Sequence, residues 1–252
     1  MVTAPALPPL TLYGSLRWEV VRRAMPAPPA RVLEIGCGQG AVGVRLAAAG
    51  YDWTGVELDG TSAQVARQRL EHAGVPGQVV HGSVEGLMGA DGFDVVCAFE
   101  VLEHIEDDRA ALAAWVDRLR PGGLLLISTP AWQDRYGPMD RAVGHFRRYD
   151  PPSLGALLGD AGLVDVGQRL YGMPLGYVLE VVRNQIARHR LESDGASVTD
   201  RTARSGRLFQ PSTPLAGLVT RAGTWPFRKL QRAFPRTGTG LVVWGRRPAA
   251  EL

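Results

Sequence analysis

Residues 31–40, Arg-Val-Leu-Glu-Ile-Gly-Cys-Gly-Gln-Gly, constrain the fold of this chain more than any other stretch. Val32, Leu33 and Ile35 make an apolar run long enough for a buried parallel strand, and Gly36, Gly38 and Gly40 break it before an alanine-rich helical pattern begins. Strand, tight turn and helix is the opening unit of an open α/β sheet. Glycine suits the turn because it takes positive φ without strain and lets a ligand lie against the backbone where no Cβ intervenes.

Gly36, Gly38 and Ala41 also satisfy the dinucleotide spacing Gly-x-Gly-x-x-Gly/Ala, so the glycines alone leave the ligand open. Glu34, two residues before the first glycine, favours S-adenosylmethionine (SAM). A carboxylate there can receive the ammonium of an amino-acid moiety and would repel a nearby pyrophosphate. Val32–Gly40 resembles the first motif of the class I SAM-dependent methyltransferases, (V/L)LE/D(I/V)GCGxG. About 60 residues on, Glu100-Val101-Leu102-Glu103-His104-Ile105 follows an apolar strand at 93–99 and resembles the same family's (A/S)xEVLEH(V/I) segment. Gly144–Tyr149, with Ser153-Leu154 and Ala161-Gly162-Leu163 after it, resembles the UbiG/UbiE-like branch.

The resemblance implies a doubly wound, seven-stranded Rossmann-like α/β sheet in the order 3-2-1-4-5-7-6, its last strand antiparallel, and SAM as cofactor. The turn residues Gly36, Cys37, Gly38 and Gly40 would approach it. Glu57 ends a strand at 51–57, where a carboxylate can take both ribose hydroxyls. By resemblance, Leu58 lies against adenine, and Ser83 with Val84 stands where the family commonly has an acid holding the adenine amino group. A hydroxyl is the weaker partner there. Phe99 and Glu100 are expected on the methionine side.

Composition, 45% hydrophobic and 21% charged, suits an ordinary globular core. With no 18-residue apolar run and no basic start leading into a long apolar stretch, the expectation is a cytoplasmic protein. Cys37 and Cys97 read as small core residues rather than a disulfide or metal pair, and no metal-ligand cluster is evident. Residues 1–171 carry 15 Lys+Arg against 20 Asp+Glu, whereas residues 172–252 carry 13 against 5. The basic surplus is C-terminal. It suits a solvated face or an acidic or phosphorylated acceptor, and no aromatic-interleaved motif accompanies it to suggest nucleic acid.

Four stretches follow: an arm and helix at 1–30, the cofactor core at 31–171, a helical insertion acting as an acceptor lid at 172–235, and the last strand with a tail at 236–252. The first helix is expected at 15–25 from an N-cap at Ser15, with Tyr13 and Trp18 facing the ligand. The insertion reads as helices near 176–191 and 215–233 around a polar stretch at 193–205. The second of these mixes apolar and basic residues suited to a membrane surface, an acceptor cap or a homodimer contact.

Residues 129–150 form a long irregular segment leaving the fifth strand on the cofactor side, rich in Trp132, Asp134, Tyr136, Asp140, His145, Arg147 and Arg148. Methyl transfer from a sulfonium is an in-line displacement, and a hydroxyl acceptor needs a base where an amine or carboxylate needs alignment alone. His145 is the first choice for that base and His104 the second. Arg147 and Arg148 beside His145 are expected to hold an acidic substrate and to keep the imidazole neutral. The expected activity is methylation of an oxygen on a small metabolite. The alternatives are N- or C-methylation of a small or lipid-linked acceptor, a nicotinamide-dependent reductase, or a SAM-binding protein without turnover.

Overall fold

The computed structural model describes residues 7–87, 92–191 and 214–250. Seven strands form one sheet in the order β3-β2-β1-β4-β5-β7-β6. They are β1 (Arg31–Ile35), β2 (Asp52–Glu57), β3 (Gln78–His81), β4 (Phe93–Phe99), β5 (Leu119–Pro130), β6 (Val164–Gly172) and β7 (Gly238–Arg246). The first five run parallel, whereas β7 is antiparallel to both neighbours. Side chains alternate across a strand. Val32, Val95 and Cys97 therefore join one apolar layer, and Leu33, Val96 and Ala98 the other.

Helices α1 (Leu12–Ala24), α2 (Gly43–Ala48) and α3 (Gly60–Ala73) cover the first layer, and α4 (Asp108–Asp117) and α6 (Pro151–Asp160) the second. A fully buried leucine such as Leu33 or Leu112 contributes about 1.5–3 kcal/mol. The short α5 (Pro138–Val143) and the insertion helix α7 (Leu175–Leu191) pack together, and α8 (Pro214–Leu230) packs on α1. No described helix is long and apolar enough to cross a membrane.

Several boundaries differ from the sequence expectation. Helix α1 starts three residues early because Thr11 is its cap: Thr11 Oγ1 accepts from Gly14 N at 2.9 Å, while Ser15 is buried. Trp18 packs on the core and leaves Tyr13 to face the cavity. The Arg-Pro-Gly-Gly turn is absorbed into β5, where pairing with β4 slips between Phe93 and Val95. Residues 129–150 contain α5 and a 3-10 turn at Gln133–Arg135 rather than loop alone. The polar stretch at 193–205 lies outside the described residues.

Candidate active site

A cavity of about 950 Å³ opens at the C-terminal ends of β1, β2 and β4, where an open parallel sheet places its ligands. Its cofactor half is built by the glycine turn. Gly38 has φ +55° and no atom within 4 Å of where a Cβ would stand, so a ligand has direct access to that backbone. Gly40 does something else. A Cβ there would sit 3.0 Å from Ala66 Cβ of α3, and Gly40 does not line the cavity, so it is a packing glycine rather than a ligand contact.

Glu34 is 3% exposed, and its Oε2 accepts from Trp53 Nε1 at 3.0 Å. Space for that indole depends on Gly43, where a Cβ would stand 2.1 Å from the ring. Burial pushes the Glu34 carboxyl up to about 8. A cationic ammonium arriving beside it would supply the charge that burial withholds. Glu57 accepts from Gly38 N at 2.7 Å and from Asp59 N at 2.9 Å, which ties the end of β2 to the glycine turn. Leu58, 73% exposed, stands at the cavity edge with Ser83 and Val84. Cys37 and Phe99 also line the cavity. The residues present thus fit SAM: a buried acid for its ammonium, a strand-end acid for its ribose, an apolar edge for its base.

Just past the end of β4, Glu100 takes φ +59°, an unusual backbone state for a non-glycine residue, and lines the cavity beside Phe99. Its Oε1 accepts from Ser128 Oγ at 2.8 Å and Tyr171 OH at 3.2 Å, and Arg17 Nη1 lies 3.3 Å away. The Arg17 guanidinium also covers the Phe99 ring at 5.4 Å. Arg183 of α7 lies over the Tyr13 ring at 5.2 Å. Sequence reasoning missed Arg17, Tyr171, Glu180 and Arg183. The one available signal was Arg17, a charge four residues from Tyr13 on a helix whose Leu16, Val20 and Val21 face inward.

His145 lines the same cavity, and its Nδ1 lies 2.8 Å from Asp140 Oδ1. Asp140 is 2% exposed and also accepts from Arg148 Nε at 2.9 Å, Arg148 Nη2 at 2.8 Å and Gly137 N at 2.8 Å. Burial would raise its carboxyl, but the His145 and Arg148 bonds hold it well below the usual range, so it is ionised. An ionised carboxylate only accepts, so His145 Nδ1 is the donor in this contact and Nε2 is the ring nitrogen left to other partners. Arg148 continues to Glu180 Oε1 at 3.3 Å.

Both arginines beside His145 are engaged by carboxylates of the protein itself, and of the two only Arg148 lines the cavity. Arg147 is engaged by Asp108 Oδ2 at 2.7 Å and the Glu106 carbonyl, and Arg148 by Asp140 and Glu180. Asp140, rather than an arginine, is the charged group touching His145.

His104 also lines the cavity, its ring 4.5 Å from that of His145 and nearly perpendicular. Burial and the neighbouring His145 lower it to about 4, so it is neutral at pH 7. Glu103 lies behind, fully buried, with no hydrogen-bond partner on either carboxylate oxygen among the described residues and Oε1 3.8 Å from His145 Nε2. Burial and the Glu100 charge push its carboxyl well up. Glu103, His104 and His145 offer ligand atoms within 4.8 Å of one another, a set able to hold a divalent cation. No such cluster was evident in the sequence because the fold joins residues about forty positions apart.

This combination of sheet, glycine turn and paired strand-end acids defines a class I SAM-dependent methyltransferase. Residues 15–168 match the methyltransferase domain family, and the chain belongs to it. It is 36% identical over 129 residues to the ubiquinone biosynthesis O-methyltransferase of Aromatoleum aromaticum, covering 50% of this chain and 55% of that one. The chain thus spans about half the length of the curated relatives it matches. In fold it is similar to the YcgJ protein of Bacillus subtilis (TM-score 0.63, 16% identity, 94% of this chain and 100% of that one). It is also similar to phosphoethanolamine N-methyltransferase 2 of Haemonchus contortus in complex with S-adenosyl-L-methionine (TM-score 0.57, 19% identity, 92% and 52%).

Proposed function

We infer that the chain methylates an oxygen of a small acceptor bound in the half of the cavity bounded by Tyr13, Arg17, His145, Tyr171 and Arg183. The observation that carries this reading is the Asp140–His145 contact, which leaves Nε2 of a cavity-lining imidazole able to take a hydroxyl proton. When bound, SAM supplies an electrophilic methyl on a positively charged sulfur. Glu34 and Glu57 would fix its two ends, and the apolar edge residues Leu58 and Val84 would exclude water from the base. His145 Nε2 would accept the acceptor proton as the oxygen attacks, and Asp140 would stabilise the imidazolium that results. The oxygen preference is supported by the ubiquinone biosynthesis O-methyltransferases to which this chain is similar over about half its length. An acceptor with an anionic group is supported by Arg17 and Arg183 at the same wall. We assign acceptor selection to the insertion at 172–235, whose α7 supplies Glu180 and Arg183.

A second reading is favoured by the two unpartnered oxygens of Glu103. In it, Glu103, His104 and His145 would hold a divalent cation, which would supply Lewis acidity to an acceptor hydroxyl. Incubating purified protein and isotope-labelled SAM with fractionated cell extract tests both. An oxygen-linked labelled methyl is expected on a small product, while label on nitrogen or carbon, or no labelled product in any fraction, would overturn the reading.

A further inference from the structure

Nothing in the cavity above uses most of the C-terminal basic surplus. One member of it, Arg232, joins Arg22, Arg23 and Arg169 at the C-terminal half of α1, away from the Tyr13, Gly14 and Arg17 turn that faces the cofactor. Glu19 is 5% exposed there and accepts from Arg22 Nη2 at 2.9 Å and Arg232 Nε at 3.0 Å, with Arg23 Nη2 at 3.1 Å. Arg169 of β6 donates through Nη2 to the Arg232 carbonyl at 3.0 Å and has no carboxylate partner among the described residues. Three guanidiniums thus share one carboxylate, and a fourth, Arg169, is bonded to the backbone of one of them. A second cavity of about 160 Å³ opens beside them, lined by Arg23, Arg169, Arg232 and Trp244 together with Glu19 itself, while Arg22 stands outside it.

The cluster is held in advance of any ligand. Gln231, 2% exposed, donates through Nε2 to the Leu16 carbonyl at 2.9 Å and accepts from Gly172 N at 3.0 Å, so its amide fastens the end of α8 to both α1 and β6. Three guanidiniums against the one carboxylate around this small concavity leave an excess of two positive charges, which favours a compact anion. The planar fork of a guanidinium matches phosphate oxygens in pairs. Leu230 and Phe234, 45% and 42% exposed, flank Arg232 in sequence, so the phosphate could belong to a soluble metabolite or to a lipid headgroup.

We propose that Arg23, Arg169 and Arg232 form a phosphate-binding site at the α1–α8 junction, separate from the methyl-transfer cavity. The test is a titration of the full chain with inorganic phosphate at ionic strength held constant with chloride, since surface charge attraction alone is screened by salt. The indole N–H resonance of Trp244 and the heat of binding are followed together. The wild type is expected to saturate with Trp244 shifting. The double variant Arg23→Gln, Arg169→Gln, which leaves Arg22 and Arg232 on Glu19, should bind at least tenfold more weakly with unchanged SAM affinity.

Sedimentation with phosphatidylglycerol against phosphatidylcholine vesicles separates the sources. Variant-sensitive, phosphate-competed binding to the anionic vesicles assigns the headgroup, and its absence with phosphate binding retained assigns a soluble ligand. The proposal is overturned if wild-type Trp244 does not shift saturably, if the double variant binds phosphate equally well, or if vesicles bind without any phosphate effect on Trp244. Should the double variant not fold, Arg169→Lys keeps the charge without the fork and is expected to weaken phosphate several-fold. Equal binding by that variant overturns the proposal too.

Discussion

Asp140 grips His145 and Arg148 with the same buried carboxylate: Oδ1 stands 2.8 Å from His145 Nδ1, and the two oxygens take Arg148 side-on at 2.9 and 2.8 Å. Orientation of the proposed base and cohesion of the acceptor wall therefore depend on one side chain. His145→Ala is expected to lower kcat by roughly a hundredfold with SAM affinity unchanged, and His145→Gln to be as impaired, since an amide cannot take the proton. Asp140→Ala should in addition destabilise the fold by about 3–5 kcal/mol, because it leaves Arg148 a buried charge with one partner removed. Denaturant unfolding read beside single-turnover kinetics distinguishes the two variants. Full activity in both His145 variants would remove the residue from the mechanism.

Glu34 is neutral below about 8 and must ionise to meet an ammonium. SAM affinity is thus expected to rise with pH up to about 8 and then level, with a proton released on binding at pH 7. Calorimetry in buffers of differing ionisation enthalpy measures that proton. Glu34→Gln, which can still accept from Trp53, should bind more weakly and release none.

Loss of the Glu57 carboxylate removes the acceptor for Gly38 N along with the expected ribose contacts. Glu57→Ala should weaken SAM by about 1.5–3 kcal/mol, the range for charge-assisted hydrogen bonds. Unchanged affinity by equilibrium dialysis would reject the assignment.

Glu103 makes a pH signature of its own. Its folded carboxyl is raised, so its stabilising contribution is complete below the ordinary carboxylate range and is lost as pH climbs toward the raised value. Glu103→Gln is expected to have a higher Tm than the wild type at pH 8 and a similar one at pH 4. If the cluster takes a cation, magnesium or zinc at pH 8 should raise the wild-type Tm and leave the variant unmoved.

Replacing residues 172–235 with a short Gly/Ser linker should abolish turnover and preserve SAM binding, because Glu34, Glu57 and the glycine turn all lie in the first half of the chain. A folded variant that no longer binds SAM would transfer the insertion to the cofactor site.

The cofactor half was legible because its chemistry is local. Glycines at fixed spacing and acids at strand ends declare themselves within a few residues, and β2 and β4 fell within a residue of their expected bounds. Gly40 misled because a motif cannot say whether a missing Cβ makes room for a ligand or for Ala66 of α3. The acceptor half was opaque for the opposite reason. Arg148 looked like a substrate anchor until the fold brought Glu180 to it from thirty-two residues away, and Tyr171 acquired a role through Glu100 across the sheet. Which arginine is already partnered depends on long-range packing, and no local pattern carries it.

The position of β7 between β5 and β6 bears on how the chain is made. Throughout its length β6 pairs with β7, so while a ribosome is still translating from Gly172 towards Gly238, β6 waits without a partner strand. At about 5–20 residues per second that interval lasts several seconds. An apolar strand left open so long would recruit other nascent chains. The polar Asp165, Gln168 and Arg169 interrupt its apolar Val164, Val166, Leu170 and Tyr171, so the waiting strand offers a broken apolar face rather than a continuous one.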